Sequence, residues 1–367
     1  MKLNKVIISG GGTGGHIFPA IAIADEIKRR NPDADILFVG AKGKMEMDRV
    51  PAAGYRIEGL TIVGLQRKLT FSNLMLPFKL LKSMLKARSI VRSFQPQVVI
   101  GVGGYASGPT LKAATLLGVP ALIQEQNSFP GKTNKLLARN VAAICTAYEG
   151  LDRFFPKDKI VLTGNPVRRD MVAIEGKRQQ AFDYYGLDPA KRTLLIIGGS
   201  LGAKTLNESM MLGYEELAKS DIQVLWQCGK LYDNDLSARL NGKEANNIKR
   251  TMFIDRMDLA YALADVIVSR AGAISVSELC LVGKPVILVP SPNVAEDHQT
   301  RNAMALVDKG AAVLVKDIEA REKLLTVALD LLNNEEKCKE LSQSILNLGK
   351  PNATEHIVDE IERIARK

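Results

Sequence analysis

The sequence contains no C-x-x-C pair and no long apolar run. Its 367 residues include four scattered cysteines, and no apolar stretch approaches the roughly 18 residues of a membrane-spanning helix. Most of these cysteines lie in or beside apolar runs, which predicts buried free thiols in a reducing compartment. Residues 1–9 are basic and then apolar, too short for a signal peptide, and lead directly into glycines. They are therefore predicted to form a first strand.

Acidic residues are absent between Glu58 and Glu125, although the whole chain contains 40. The same interval carries these basic residues: Arg67, Lys68, Lys79, Lys82, Lys86, Arg88, Arg92 and Lys112. With a formal net charge of +10, this gap indicates an anionic partner such as a membrane surface, a phosphate-bearing substrate or nucleic acid. Aromatic residues make up only 5% of the chain, which argues against a platform that stacks single-stranded bases.

Three glycine-rich segments each follow a short apolar strand and precede a helix. They are residues 9–16, 101–109 and 198–203. Such a turn presents backbone N–H groups and the positive end of a helix dipole to an anion. The first two loops together are predicted to hold a diphosphate, and the third shows that the second half repeats the architecture of the first. The pattern predicts two α/β domains with parallel sheets.

The first loop also matches the dinucleotide-binding pattern G-x-G-x-x-G, at Gly10, Gly12 and Gly15. An NAD site further needs an acidic residue near the end of the second strand, and residues 39–42 supply none. The general meaning of the loop, a backbone cradle for an anion, is therefore favoured over NAD binding.

Residues 265–303 form the best-defined binding pattern, with the order strand, helix, strand, helix. Gly272 lies in the first turn, where ligands bind beyond the carboxyl ends of parallel strands. Glu278 follows about one helical turn later and is placed to accept hydrogen bonds from the two adjacent hydroxyls of a ribose. The alternative is a glutamate on a solvated helix face.

Residues 69–94 have apolar side chains at roughly helical spacing, flanked by lysine and arginine. This pattern fits a helix lying in a membrane interface, or a core-packing helix with a solvated basic face. Two aspartate pairs, Asp33 with Asp35 and Asp233 with Asp235, match the D-x-D pattern of metal-using transferases. Both pairs are interpreted as solvated turns, and neither a metal nor a cofactor is expected.

Several motifs in this order and spacing resemble the MurG family, bacterial transferases that add N-acetylglucosamine to lipid I to make lipid II. The motifs span residues 11–16, 103–109, 125–127, 164–168, 198–203, 270–273 with 277–278, and Gln299 with 302–303. The resemblance implies the GT-B glycosyltransferase fold, an α/β fold of two Rossmann-like domains facing each other across a cleft. It implies an acceptor- and membrane-binding domain over 1–164, a UDP-sugar domain over 165–350, and a C-terminal helix, about 351–367, that crosses back.

The resemblance also assigns residues to the donor, UDP-N-acetylglucosamine. Ile254 would hold uracil through its backbone, Glu278 would bind the ribose, and Ser200 and Arg168 would meet the diphosphate. Gln299 would read sugar hydroxyls, although His298 departs from the glutamine expected beside it. The remaining donor-binding residues implied by the family are Thr13, Gly14, Gly15, Asn127, Ala273 and Ile274.

The acceptor, lipid I, would place its diphosphate at Gly14, Gly15, Gly104 and Tyr105. The reaction implied is an inverting displacement that needs a general base. His16, where a glycine loop becomes a helix, is the leading candidate, Glu125 is the rival, and Asn127 would orient the acceptor. The family further implies a peripheral location on the cytoplasmic face of the bacterial membrane, against an anionic lipid surface. No nucleic acid is expected as a partner, and cell-wall assembly proteins are candidate partners that the sequence does not identify.

Other functions remain open from the residues themselves. Another GT-B transferase would share the donor half and use a different acceptor, such as a diacylglycerol or a secondary metabolite. A UDP-N-acetylglucosamine 2-epimerase would require a carboxylate-rich cleft that the sequence does not reveal. A nicotinamide-dependent oxidoreductase and a basic module for nucleic acid or membrane are alternatives from other classes.

Overall fold

The computed structural model describes residues 2–62 and 76–365, without the side chains of 76–79 and Ala295. The chain divides into two compact units. The first unit contains Met1–Val167 and Lys350–Lys367, and the second unit contains Arg168–Gly349. The sequence-based divisions after residues 164 and 350 compare with divisions after Val167 and Gly349 here.

The first unit is built on a seven-stranded sheet in which every pairing is parallel. Its strands are β1 (Lys5–Gly10), β2 (Asp35–Ala41), β3 (Arg56–Leu60), β4 (Val98–Gly103), β5 (Ala121–Glu125), β6 (Ala143–Thr146) and β7 (Ile160–Leu162). Their order across the sheet is β3-β2-β1-β4-β5-β6-β7. The order reverses between β1 and β4, so the loops that leave these two strands diverge and open a crevice.

Helices connect these strands. They are α1 (Gly14–Arg30), α2 (Glu46–Ala52), α3 (Leu76–Phe94), α4 (Ser107–Leu116) and α5 (Lys132–Leu137). Consecutive residues of β1 point to opposite faces, and Ile7 and Ile8 are both fully buried. The sheet is therefore covered on both sides, as its continuous apolar strands predict.

The second unit repeats the plan with six parallel strands. They are β8 (Thr193–Ile197), β9 (Gln223–Gln227), β10 (Ile248–Thr251), β11 (Val266–Ser269), β12 (Val286–Leu288) and β13 (Val313–Leu314), in the order β10-β9-β8-β11-β12-β13. Its helices are α6 (Arg169–Val172), α7 (Arg178–Tyr185), α8 (Lys204–Leu212), α9 (Tyr214–Lys219), α10 (Asp233–Leu240), α11 (Met257–Leu263), α12 (Ala273–Val282), α13 (His298–Val307), α14 (Ala320–Leu332) and α15 (Glu335–Leu346). The order of the strands reverses between β8 and β11.

The C-terminal helix α16 (Ala353–Ile364) belongs to the first unit. Ile357, Val358 and Ile361 are completely buried in the core that also contains residues of β1 and α1. Arg30 of α1 donates to the Asp359 carboxylate at 2.7 Å and to the Glu355 carbonyl at 3.0 Å. The chain thus returns to its first unit, as the resemblance implies.

Some elements differ from the sequence-based expectation. The first helix begins at Gly14 rather than Ile17, because the Thr13 carbonyl already accepts from the N–H groups of His16 and Ile17. Residues 101–103, expected in the second glycine loop, continue β4 instead. Gly101 lies against Leu111, and a Cβ on Gly101 would come within 2.3 Å of the Leu111 side chain. Strand β3 and helix α2 were not predicted.

The other expectations concern thiols, aspartate pairs and the basic amphipathic segment. All four cysteines are free, with Cys145, Cys228 and Cys280 buried. The interpretation of both aspartate pairs as solvated turns is wrong for Asp35 and Asp233, because Asp35 begins β2 and Asp233 begins α10, and both form ion pairs with arginines. Within the part of the chain that the structure describes, none of the helices combines the length and the apolar character that a membrane span requires. Residues 69–75 of the amphipathic segment lie outside the described residues, and 76–94 form α3.

Asn207 joins two buried groups in the second unit, and its loss is expected to destabilise that unit. Its Oδ1 accepts from Trp226 Nε1 and its Nδ2 donates to the Cys228 carbonyl, both at 2.9 Å. Asn207→Ala leaves two buried polar groups unpaired, which should lower the free energy of unfolding by roughly 2–5 kcal/mol. Trp226 is the single tryptophan, so its fluorescence during urea unfolding reports this unit directly.

The control for Asn207→Ala is Gln343→Ala, which removes an exposed amide that bonds Asn347 on the surface. That change should alter the free energy of unfolding by less than about 0.5 kcal/mol. Equal midpoints for Asn207→Ala and the wild type would show that the buried pairing contributes nothing.

Candidate functional site

In the first unit, two glycine loops meet where the strand order reverses. The N–H of Gly11, which follows β1, donates to the carbonyl of Gly103, the last residue of β4, at 3.3 Å. The next residue, Gly104, has φ +87°, and a Cβ there would lie 2.3 Å from the Gly11 carbonyl oxygen. Only glycine permits this approach. The two loops predicted to hold an anion therefore lie together at the carboxyl edge of the sheet.

His16 is fixed against both loops. Its Nδ1 lies 2.9 Å from the Gly11 carbonyl oxygen. A carbonyl only accepts, so the neutral imidazole carries its hydrogen on Nδ1 and has its lone pair on Nε2. The Nε2 side of the ring lies over Gly103, where a Cβ would come within 2.8 Å of Nε2. The basic nitrogen is thus placed beside the second loop, at the crevice.

Glu125 has a different environment from that expected of a rival base. It ends β5, is 1% exposed, and accepts four hydrogen bonds through its two carboxylate oxygens. The donors are the backbone N–H and side-chain amide of Asn127, the N–H of Gly131 and the amide of Asn134, at 2.7–3.2 Å. This carboxylate shapes the loop that carries half-buried Asn127, and the arrangement favours His16 over Glu125 as base.

The start of α1 contains Gly14 and Gly15, which the sequence predicts to bind an anion. Thr13 is the N-cap, and the first helical N–H groups, those of Gly14 and Gly15, have no carbonyl of the preceding turn to bond. Tyr105 follows Gly104 and is exposed. A diphosphate at this helix start would meet both free N–H groups and the helix dipole.

Glu46 is a residue of this site that the sequence reading missed. It begins α2 and is 1% exposed. Its carboxylate accepts from the Ala41 N–H at 2.9 Å and from the Gly12 N–H at 2.8 Å. An acidic side chain therefore does lie at the end of the second strand, but its oxygens bind the protein backbone. The sole sequence signal was a glutamate shortly after that strand, in a helix too short to show periodicity.

In the second unit, the third glycine loop leaves β8 at the reversal of strand order, beside the turn after β11. Gly199 donates to the Gln227 side chain at 3.1 Å, and Gly202 has φ +90° against the Cys228 carbonyl. These contacts bring the loop to the start of α8, with Ser200 exposed. Ile254 follows β10, which is separated from β8 by β9, and is buried.

Glu278 lies in α12, and Ala273 and Ile274 form the start of the same helix. The hydroxyl of Tyr261 donates to Glu278 Oε2 at 3.3 Å. Burial raises the pKa of the Glu278 carboxyl to about 7, against the opposing effects of the Tyr261 hydrogen bond and the positive charge of Arg168. Glu278 therefore does not lie on a solvated helix face, the alternative that the sequence left open.

Gln299 joins two loops of the same edge. Its Oε1 accepts from the N–H of Ala271 at 3.2 Å and of Ser291 at 2.8 Å. The side-chain oxygen is therefore committed to the backbone, and the amide nitrogen is the end suited to a sugar hydroxyl. Arg270 beside it pairs with Asp317 at 2.5 Å, which fixes the turn.

The predicted site residues divide between the two units. Those of the first unit are Thr13, Gly14, Gly15, His16, Gly104, Tyr105, Glu125 and Asn127. Those of the second unit are Arg168, Ser200, Ile254, Ala273, Ile274, Glu278 and Gln299. No group of three or more His, Cys, Asp or Glu within the described ranges is arranged to hold a metal.

Comparison with known proteins covers both units. Residues 6–146 match the glycosyltransferase family 28 N-terminal domain, and residues 193–357 match the glycosyltransferase family 28 C-terminal domain. A Flavobacterium psychrophilum protein is 56% identical over 99% of this chain and 98% of its own length, and a Bacteroides fragilis protein is 54% identical over 99% and 96%. Both are named UDP-N-acetylglucosamine–N-acetylmuramyl-(pentapeptide) pyrophosphoryl-undecaprenol N-acetylglucosamine transferase.

A solved structure agrees with these relatives. The crystal structure of Acinetobacter baumannii MurG is 31% identical, with a TM-score of 0.79 over 98% of this chain and 99% of that one. The predicted GT-B fold is confirmed. The chain belongs to glycosyltransferase family 28 and, within it, to the MurG family.

Proposed function

We propose that this protein transfers N-acetylglucosamine from its UDP form to the N-acetylmuramoyl unit of lipid I, giving lipid II for peptidoglycan synthesis. The observation that carries the proposal is that relatives more than half identical over 99% of the chain are named for this transfer. The two crevices at the reversals of strand order suit one diphosphate-bearing substrate each.

The second unit is proposed to bind the donor. The backbone of Ile254 pairs with uracil, and the Glu278 carboxylate accepts from the ribose hydroxyls. The loop with Ser200, at the start of α8, and the side chain of Arg168 neutralise the diphosphate. Ala273 and Ile274 lie along the phosphate and sugar, and the Gln299 amide nitrogen donates to a sugar hydroxyl.

The first unit is proposed to bind the acceptor. The N–H groups of Gly14 and Gly15 hold the lipid-linked diphosphate with Gly104 and Tyr105. Asn127 orients the sugar. Thr13 lies in the first glycine loop, directly before Gly14 and Gly15, and is also proposed to contact the donor. The sugar's 4-hydroxyl is then directed to the base.

The chemistry is an inverting displacement. The acceptor's 4-oxygen forms a bond to the anomeric carbon while the bond from that carbon to the UDP oxygen breaks. His16 Nε2 takes the hydroxyl proton, and the donors around the UDP diphosphate stabilise its developing charge. No metal or cofactor takes part in this scheme, so activity should persist in EDTA.

The protein is further proposed to rest peripherally on the cytoplasmic face of the bacterial membrane, with cell-wall assembly proteins as neighbours. In α3 the small residues Ser83 and Ala87 are buried, whereas Leu80, Leu81 and Leu85 are 55–60% exposed. Lys82, Arg88 and Arg92 are also exposed. Apolar and basic groups on one outward face favour insertion into an anionic lipid surface.

Transfer of labelled N-acetylglucosamine to a short-chain lipid I analogue tests the function. The wild type should catalyse transfer, and Glu278→Ala should lower kcat/KM by roughly 100-fold or more, because two hydrogen bonds to a charged group are lost. The control Glu322→Ala removes an exposed glutamate of the same unit and should be silent. UDP-sugar binding without transfer to lipid I would point to another acceptor, and absence of binding would refute the donor assignment.

The affinity for UDP should depend on pH through Glu278. Binding favours the ionised carboxylate, whose pKa in the ligand-free protein is about 7. The dissociation constant should therefore fall about tenfold between pH 6 and pH 8 and level off above. Titration calorimetry at several pH values measures this, and Glu278→Gln should bind weakly with no such dependence. A flat wild-type profile would contradict the role.

The raised pKa of Glu278 also predicts that ionisation of this carboxyl destabilises the ligand-free protein. The ordinary pKa of a glutamate is 4.5, so the folded protein favours the neutral Glu278 carboxyl more than the unfolded chain does. The free energy of unfolding should therefore decline as the pH rises from about 4.5 through 7. Ligand-free Glu278→Gln should then melt no lower than the wild type at pH 8, which would show that its weak binding is not caused by unfolding.

Membrane binding is testable on α3. Leu85→Ser should weaken binding to vesicles containing phosphatidylglycerol by roughly tenfold, since a buried leucine contributes about 1.5–3 kcal/mol. Leu212→Ser, a 70% exposed leucine of the second unit, is the matched control. Binding should also weaken with added salt. Equal vesicle binding by Leu85→Ser and Leu212→Ser would show that α3 does not contact the membrane.

A further inference from the structure

One peptide group of the first glycine loop is hydrogen-bonded at both ends. The carbonyl of Gly11 accepts from His16 Nδ1 at 2.9 Å. The N–H of Gly12, which belongs to the same peptide group, donates to Glu46 Oε2 at 2.8 Å. In a trans peptide the N–H and C=O point in opposite directions, so the carboxylate and the imidazole lie on opposite sides of one planar unit.

The Glu46 carboxylate is held firmly in place. Its second oxygen accepts from the Ala41 N–H at 2.9 Å, and the residue is 1% exposed. A Cβ on Gly11 would come within 2.2 Å of the carboxylate, and one on Gly40 within 2.6 Å of the Glu46 side chain. Both glycines thus make room for this side chain. Hydrogen bonds from N–H groups to a buried carboxylate are among the stronger kinds in proteins.

We propose that Glu46 is a positioning residue for His16, acting through the peptide group between Gly11 and Gly12. The inference rests on the proposed function, in which His16 Nε2 accepts the acceptor's proton. The carboxylate fixes the peptide plane so that the Gly11 carbonyl faces the imidazole, and it polarises that carbonyl into a stronger acceptor. The carbonyl then holds the hydrogen on Nδ1 and leaves Nε2 as the base. A nucleophile-activating triad uses the same logic, with a carboxylate in direct contact.

A glutamine cannot replace this glutamate in full. Glu46 accepts from two N–H groups through two oxygens, whereas a glutamine offers one acceptor oxygen and an NH₂ group. In Glu46→Gln, one backbone N–H must face the NH₂ group, so the peptide is expected to rotate and release His16. The change conserves size, which separates the hydrogen-bonding role from packing.

The experiment compares full-length wild type, Glu46→Gln and Asp48→Asn. Asp48→Asn makes the same chemical change at an exposed position of α2. The ¹⁵N shifts of the histidine rings report the tautomer, and the chain has only three histidines, so a His16→Ala spectrum assigns the signal. Steady-state transfer gives kcat and the KM for UDP-N-acetylglucosamine.

The wild type and Asp48→Asn should show the hydrogen on Nδ1 of His16. Glu46→Gln should show mixed tautomers and a 10- to 100-fold lower kcat, with the donor KM within twofold, because the donor residues of the second unit are untouched. An unchanged tautomer and unchanged kcat in Glu46→Gln would overturn the inference. Loss of kcat with an unchanged tautomer would also overturn it, since Glu46 would then act through the loop alone.

Two further measurements keep the inference testable if Glu46→Gln unfolds. The wild-type spectrum alone must show the Nδ1–H tautomer, and the opposite tautomer would refute the relay. Glu46→Asp keeps both acceptor oxygens and should retain that tautomer with a lower kcat. A wild type that shows no transfer would refute the proposed function, whereas the tautomer would still test the contact between Glu46, the peptide and His16.

Discussion

Both crevices depend on one constraint: a backbone N–H buried at the end of a strand must find an acceptor. The glycine turns extend beyond the ladders of the sheets, so N–H groups such as those of Gly12 and Gly199 are not bonded by neighbouring strands. Side-chain oxygens take that place. Glu46 and Glu125 do so in the first unit, and Gln227 and Gln299 in the second. These side-chain hydrogen bonds thereby hold in place the loops that are proposed to bind substrate.

This arrangement explains why some polar residues near a ligand crevice are poor candidates for direct chemistry. Glu125 looks from its position like a base, yet its oxygens are occupied by four donors. His16 and Glu278 differ from it. His16 uses one nitrogen on the backbone and keeps the other at the crevice, and Glu278 is bonded by Tyr261 at one oxygen. The residues proposed to contact substrate differ here from the supporting residues in which of their polar atoms remain uncommitted.

The sequence predicts the repeated α/β plan well, because continuous apolar strands and glycine turns follow directly from burial on both faces of a sheet. It predicts less about edges and short elements. Strand β3 has an exposed arginine and glutamate, and α2 spans only seven residues, so neither shows a clear period. Glu46 escaped notice because its partner loop is over 30 residues away, and no local pattern encodes that contact. Likewise, only the folded chain shows that the Gln299 oxygen is committed to backbone.

The return of α16 to the first unit has a consequence for synthesis on the ribosome. The core around Ile357, Val358 and Ile361 includes strands made near the start of the chain, yet these three residues emerge after the entire second unit. Part of the apolar surface of the early strands therefore stays uncovered while the second unit is translated and folds. Vectorial synthesis thus favours completion of the second unit first, and the last helix closes the first.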